Sequence, residues 1–334
     1  MFDIPLLLSI IVLVALVFDF TNGAHDCANA IATVVSTKVA TPRFAVGAAA
    51  LLNLCGALLG TEVAKTLGSG IVLPEVVMGS QVLVLAALLG AIFWNCLTWY
   101  FGIPSSSSHA LIGGLIGAAL AGEGVAALSL HGILYKVIVP LFASPLAGFF
   151  MGFVMMRLIT WICSHMYRRT VNSTFRQLQL LSAGFMALSH GLNDAQKTMG
   201  IITLALFIFG EIPAVDVPLW VKLCCAGSMA LGTAIGGWKI VRTMGHRIFK
   251  LEPVHGFTAE MSASVVIAGS SFLGAPVSTT HTISACIFGV GASKRLSAVR
   301  WTVAGQLVTA WVLTLPAASA VGFVSYKVLH LIWQ

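Results

Sequence analysis

Residues 20–30 read FTNGAHDCANA and interrupt the first long apolar stretch of the chain. Residues 188–197 read LSHGLNDAQK and interrupt a matching stretch in the second half. Each segment carries a carboxylate, Asp26 or Asp194, within sequence apolar enough to lie in a lipid bilayer. A carboxylate at membrane depth is costly, so its presence there indicates a function.

A hydroxyl-rich motif also occurs twice, as GIPSSSSH at 102–109 and GAPVSTTH at 274–281. Asp194 follows Asp26 by 168 residues, and His281 follows His109 by 172 residues. Two motif pairs at nearly one offset indicate an internal duplication.

The composition excludes a soluble globular protein. Of the 334 residues, 58% are hydrophobic and only 9% are charged, whereas soluble domains carry about 25% charged residues. Long apolar segments recur through the chain, and a membrane β-barrel would instead show weak alternating segments. We therefore expect an all-α, polytopic (multi-pass) membrane protein.

The net charge of +7 does not indicate nucleic-acid binding, because the basic residues gather in short loops between apolar segments. The seven cysteines show neither metal-ligand spacing nor a paired framework, so we expect them to serve as packing residues. The apolar stretch 4–18 lacks a basic start and a cleavage motif, and we interpret it as mature structure rather than a removable signal.

Loop charges predict the topology. We expect an N-terminal transmembrane repeat over 1–156, a basic cytoplasmic linker over 157–177 and a C-terminal transmembrane repeat over 178–334. The linker holds four arginines and no acid, which favours the cytoplasmic side. Acidic turns at Glu62, Glu75 and Glu123 then lie outside. Equivalent segments cross in opposite senses, which predicts two inverted-topology repeats with both termini outside.

Two kinds of interruption are expected in the spanning segments. Each half should contain a broken, re-entrant hairpin, at about 81–122 and 256–292, interrupted at the hydroxyl-rich motif. The block 178–210 would be about 50 Å long as one helix, against a hydrocarbon core of about 30 Å. We therefore also expect each Asp motif to break its helix and to leave unwound backbone facing an internal cavity.

The hydroxyl-rich motifs predict an anion site. Proline stops the incoming segment, and Ser or Thr caps the next helix. Backbone N–H groups at the helix start, the positive end of the helix dipole and the hydroxyl donors could together hold a tetrahedral oxyanion. The alternative is that these residues only mediate helix packing, which the duplication disfavours.

The Asp motifs predict the opposite chemistry, because carboxylate and amide oxygens are hard ligands that suit a small cation or a proton. The alternative is a structural Asp, paired with Lys197 or bonded within its own motif. Glu260, on the arm before the second hydroxyl-rich motif, is a further candidate, and Asp19 is an ambiguous extra carboxylate. A carboxylate beside the anion could accept the proton of hydrogenphosphate, which favours phosphate or arsenate over sulfate.

At these residues the chain resembles the inorganic phosphate transporter family, whose repeated signature is similar to GANDVANA. Residues 23–30 match it closely, with His25 in place of the first Asn. Residues 191–194 match the second copy, but Lys197 stands where the second Asn would fall. The motifs PSSSSH and PVSTTH and the context GFTAE at 256–260 also resemble the family, and the resemblance covers nearly the whole chain.

The resemblance implies a symporter of inorganic phosphate with Na⁺ or H⁺, with an inverted-repeat fold and a homodimeric assembly in the lipid bilayer. We expect it in the plasma membrane, which in bacteria is the inner membrane, without a cofactor and without enzymatic activity. The alternatives are a sulfate permease of the same fold and, more remotely, an intramembrane Ser/His/Asp hydrolase. A hydrolase would give no reason for duplicated motifs.

The expected site residues form three groups. The phosphate ligands are Ser105, Ser106, Ser107, Ser108, Ser278, Thr279, Thr280, Asp26 and Asp194. The ligands of the coupling cation, with Na⁺ as the candidate metal, are Asn22, Asp26, Asn29, Asn193, Asp194 and Glu260. The roles of His25, His109, His281 and Lys197 stay open, since a buried histidine serves more often as a neutral hydrogen-bonding group than as a proton carrier.

Overall fold

A computed structural model of the protein describes residues 6–68 and 82–332. Nearly all of these residues are helical, in agreement with the expected all-α fold. Glu75 and Gln81, which the sequence places in an outer turn and at the start of the first hairpin, lie outside the described residues. The helices are α1 (Leu6–Ser36), α2 (Pro42–Ala57), α3 (Glu62–Gly68), α4 (Val82–Phe101), α5 (Ser107–Glu123), α6 (Leu130–Ile133), α7 (Val139–Ile162), α8 (Arg168–Ile208), α9 (Leu219–Ile235), α10 (Trp238–Arg242), α11 (Pro253–Phe272), α12 (Thr279–Lys294) and α13 (Trp301–Ile332).

Several described helices are long and apolar enough to cross a bilayer, judged by length and composition. They are α1, α4, α5 with the turn that follows it, α7 and α13. The pair formed by α9 and the segment 238–247 would be a further, broken span, bent by 61°. The chain is thus a multi-pass membrane protein, and the side on which its termini lie stays a prediction.

Two helices joined by a short break lie at both places where a hairpin was expected, and their re-entry into the membrane stays a prediction. α4 leads into α5, and α11 leads into α12, through short non-helical segments that contain the hydroxyl-rich motifs. Gly102 and Gly274 occupy equivalent positions in these segments and have φ angles of 68° and 70°. This left-handed conformation favours glycine. Because the same turn occurs at the same place in both halves, the backbone supports the duplication.

The two halves interlock through reciprocal packing. α1 packs on α9 and α2 packs on α8, while α5 packs on α13 and α12 packs on α7. A Cβ atom on Gly117 would lie 1.9 Å from the carbonyl oxygen of Ser319, and one on the equivalent Gly289 would lie 2.0 Å from that of Phe149. Small residues permit such close helix contacts in membranes. The opposite orientation of the two halves in the membrane stays a prediction.

The expected breaks at the Asp motifs are wrong. α1 continues through residues 20–30, and α8 continues through residues 188–197. Neither motif contains proline, and several of their polar side chains bond to other helices rather than competing for their own backbone. α8 has 41 residues, and its polar, mostly exposed start lies in the segment expected as linker. Its excess length therefore extends beyond the apolar region.

A continuous helix has a consequence for the site. Asn22, Asp26 and Asn29 are spaced i, i+4 and i+7, which places them on one face of α1. His190, Asp194 and Lys197 have the same spacing on α8. Each Asp motif therefore presents a single polar face, and not a set of free carbonyl groups.

Candidate functional site

The polar faces of α1 and α8 meet the starts of α5 and α12 at one buried place, which we call the central cluster. Asp26 Oδ1 accepts a hydrogen bond from Thr280 Oγ1 at 3.1 Å, and its Oδ2 accepts one from Ser107 Oγ at 3.2 Å. Asp194 Oδ2 accepts one from Thr279 Oγ1 at 2.8 Å. The structure thus brings both Asp motifs and both hydroxyl-rich motifs together.

The hydroxyl groups divide into two sets. Ser106 and Ser278 cap α5 and α12, and each accepts a hydrogen bond from the backbone N–H three residues later at 3.2 Å. Capping was expected at both places. Ser105 donates to Thr98 at 2.9 Å. The hydroxyl groups of the central cluster are therefore those of Ser107, Ser108, Thr279 and Thr280.

Lys197 is a buried cation in this cluster, with only 2% of its surface exposed. Its ammonium group contacts a carboxylate oxygen of Asp194, the hydroxyl of Ser108 and the carbonyl oxygen of Val277, the last at 3.0 Å. An ammonium has three N–H donors and no acceptor. Its three oxygen partners match that inventory, and the pairing of Asp194 with Lys197, which the sequence offered as the alternative interpretation, is present.

Three asparagines of the two Asp motifs have unused acceptor atoms. Asn29 Nδ2 donates to Thr280 and Thr279 at 2.9 and 3.1 Å, and Asn193 Nδ2 donates to Ser271 at 2.7 Å. The amide oxygens of Asn22, Asn29 and Asn193 are buried and have no hydrogen-bond partner in the described part of the chain. Buried polar atoms are normally paired. Such oxygens are the ligands that a hard cation would take.

A nitrogen ligand also reaches the cluster, from a residue outside the expected site set. His190 Nε2 lies 3.0 Å from Asp194 Oδ2. Ligand atoms of Asp26, His190 and Asp194 all lie within 4.8 Å of one another. The signal was available in the sequence, because His190 precedes Asp194 by four residues, as Asn22 precedes Asp26. These three groups could hold a cation between the two halves.

The other histidines lie beside the cluster. His25 Nδ1 is 2.6 Å from Asp26 Oδ1, and its Nε2 is 3.1 Å from Thr98 Oγ1. His109 and His281, at equivalent positions in the two halves, stack on each other with ring centroids 4.9 Å apart. Equivalent residues of the two halves therefore contact each other directly.

Glu260 is buried, but it lies apart from the central cluster. Its Oε1 accepts hydrogen bonds from Thr33 and, at 3.2 Å, from Gln179, and its Oε2 accepts one from Ser182. Thr33 follows Asp26 by two helical turns, a distance of about 10 Å along α1. We call Glu260 and these three donors the Glu260 cluster. Sequence reasoning identified Glu260 but missed its partners.

Known proteins match this chain along nearly its whole length. The model described as "Phosphate transporter family" matches residues 22–322. A "Probable low-affinity inorganic phosphate transporter" of Bacillus subtilis (strain 168) is 47% identical, over 99% of this chain and 100% of that protein. One of the same name from Rhizobium meliloti (strain 1021) is 49% identical over 96% of each. A solved structure, "The sodium-dependent phosphate transporter", aligns with a TM-score of 0.89 and 25% identity over 98% of this chain and 99% of that one. The chain therefore belongs to the phosphate transporter family.

Proposed function

We propose that this protein is a symporter that carries inorganic phosphate across the plasma membrane, the inner membrane in bacteria, together with Na⁺ or H⁺. The observation that carries the proposal is the composition of the central cluster. Hydroxyl groups at two helix starts bond to two buried carboxylates, and the Asp motifs that carry these carboxylates also hold buried, unpaired amide oxygens. Such a site offers ligands to an anion and to a cation at once.

The charges of the cluster support the proposal that anion and cation bind together. Asp26, Asp194 and Lys197 together carry one net negative charge when the histidines are neutral. A phosphate anion entering beside them is repelled, and two like charges about 4 Å apart cost about 4 kcal/mol at an effective dielectric constant of 20. That cost corresponds to an affinity loss on the order of a thousandfold. A cation bound at the same time removes it, so neither ion binds well alone.

The hydroxyl-bearing starts of α5 and α12 are the proposed phosphate ligands, with Ser107, Ser108, Thr279 and Thr280 nearest to the carboxylates. Asp26 and Asp194 are the proposed link between anion and cation, since either can accept the proton of hydrogenphosphate or bind the cation. Alternating access would arise from movement of the two interlocked halves around this cluster. The names of the bacterial relatives support phosphate as the substrate.

A hydrolytic role has one geometric point in its favour. Ser105 Oγ, His25 Nε2 and Asp26 form a line, with the hydroxyl oxygen 3.4 Å from the ring nitrogen. The Ser105 hydroxyl, however, donates to Thr98 at 2.9 Å, and a nucleophilic serine must give its proton to the histidine. The duplicated hydroxyl-rich motifs and the family of the chain favour transport.

The test is uptake of radiolabelled phosphate into proteoliposomes that contain the purified protein. We expect accumulation when a Na⁺ or a H⁺ gradient is imposed, and loss of accumulation when an ionophore collapses that gradient. Unlabelled arsenate should compete, and sulfate should not. Equal competition by sulfate would instead indicate a sulfate permease, and uptake that ignores both gradients would contradict symport.

A further inference from the structure

The two Asp motifs hold different residues at equivalent positions. Four residues before the Asp, the first half has Asn22 and the second half has His190. Three residues after the Asp, the first half has Asn29 and the second half has Lys197. Because both motifs lie on continuous helices, equivalent residues point into the central cluster from corresponding places.

The contacts at these positions are also equivalent. Asn29 Nδ2 donates across the cluster to Thr280, in the hydroxyl-rich motif of the second half, at 2.9 Å. Lys197 donates to Ser108, which holds the corresponding place in the first half. Each side chain therefore reaches the helix start that belongs to the other half. Only the second of these two side chains brings a positive charge.

The oxygen ligands differ accordingly. The first half presents the Asp26 carboxylate with the unpaired amide oxygens of Asn22 and Asn29, a donor set that suits a hard cation. In the second half, Lys197 contacts one carboxylate oxygen of Asp194, and His190 Nε2 lies 3.0 Å from the other. Both oxygens of Asp194 thus face nitrogen groups of its own helix.

We propose that the Lys197 ammonium is a tethered cation that takes the place of one coupling ion. It lies among a carboxylate, a hydroxyl and a backbone carbonyl oxygen, the kinds of ligand that a free monovalent cation would use. The inference rests on the proposed symport. The coupling cation then binds in the first half, at Asn22, Asp26 and Asn29, and each phosphate requires one cation fewer than a site with asparagine at both positions.

The tethered charge also changes the energetics of transport. A free cation must enter and leave in every cycle, whereas Lys197 stays with the protein. Its positive charge therefore lowers the repulsion that phosphate meets, but it carries no energy from the ion gradient. A transporter built in this way gains phosphate affinity at the expense of driving force, since fewer cations move per anion.

The experiment measures how phosphate affinity depends on cation concentration, in purified full-length protein and in proteoliposomes. The slope of log affinity against log cation concentration counts the cations taken up with each phosphate. Lys197→Asn combined with His190→Asn rebuilds the first-half ligand set in the second half, and we expect its slope to rise by about one cation. Asn29→Lys adds a second tethered charge, and its slope should fall by about one, while the control Gln177→Lys, which adds the same charge at an exposed residue of α8, keeps the wild-type slope.

Reversal potentials of phosphate transport in proteoliposomes provide a second measurement, because charge moved per phosphate should change in the same direction. A correctly folded double variant with the wild-type slope would overturn the tethered-cation role. Loss of phosphate binding by the double variant at saturating cation would also overturn it, because Lys197 would then be a ligand of the anion. If the double variant does not fold, Asn29→Lys decides, and a wild-type slope there refutes the proposal. Failure of the wild-type protein to transport phosphate would instead refute the proposed function.

Discussion

The central cluster and the Glu260 cluster each contain buried carboxylates that contact the same face of α1, but the partners of these carboxylates differ. In the central cluster, carboxylates meet a lysine, a histidine and the starts of helices from both halves. In the Glu260 cluster, one carboxylate meets two hydroxyl groups and an amide, and the described residues give it no ion pair. The first arrangement combines charges of both signs with two helix starts, and the second holds a single acid among neutral donors.

The Glu260 cluster also lies nearer to the basic linker. Thr37 donates to Gln179 at 2.9 Å, and Gln179 donates to Glu260. Thr37, in turn, lines an open cavity of about 890 Å³ together with Arg168 and Arg176. A chain of hydrogen bonds thus connects Glu260 with a basic cavity. If the proposed symport holds, we expect a change at Glu260 to alter how uptake depends on the cation concentration.

The largest effect is expected from removing either central carboxylate. Asp26→Asn or Asp194→Asn should lower gradient-driven phosphate uptake on the order of 100-fold or more, because the first removes the charged ligand of the coupling cation and the second removes the carboxylate that holds Lys197. The two variants should differ in stability, since Asp194→Asn leaves Lys197 as an unpaired buried charge, a change that costs about 3–5 kcal/mol. Thermal unfolding in detergent should therefore show a lower Tm for Asp194→Asn than for Asp26→Asn. Wild-type uptake by both variants would refute the coupling role.

An intermediate effect is expected at the second acid. Glu260→Gln keeps the shape, but it replaces one acceptor oxygen with an amide N–H group that faces hydroxyl and amide donors, and a buried group left unsatisfied costs about 1–3 kcal/mol. We expect gradient-driven uptake to fall about tenfold, while phosphate affinity at saturating cation changes little. Glu62→Gln, which removes an exposed carboxylate paired with Lys65, is the matched control and should transport normally. If Glu260→Gln lowered gradient-driven uptake as much as Asp26→Asn, Glu260 would be as essential for transport as the central carboxylates, and the separation of the two clusters would be wrong.

Part of this arrangement is predictable from the sequence. The hairpins, the caps at Ser106 and Ser278 and the meeting of the two Asp motifs followed from repeats, proline and hydroxyl residues. The expected breaks in α1 and α8 were wrong. α8 is longer than the bilayer is thick, but its polar start extends into the linker, so the helix does not need a break to fit. The separation of Glu260 from Asp26 was also not predictable, since it depends on how α11 packs against α8.

The smallest effects should come from single hydroxyl groups, and they separate the two clusters most finely. Ser107→Ala removes a hydroxyl that donates to Asp26, and Ser182→Ala removes one that donates to Glu260. Loss of such a bond costs about 1–3 kcal/mol when the carboxylate stays charged. Ser107 lies at the start of α5, so its loss should weaken phosphate affinity by about tenfold. Ser182 lies far from that helix start, so its loss should instead shift the cation concentration for half-maximal uptake, by about threefold. Paired titrations of phosphate and cation would check both results. If the two variants shifted the same parameter, the central cluster and the Glu260 cluster would form one site and the division drawn from their contacts would be wrong.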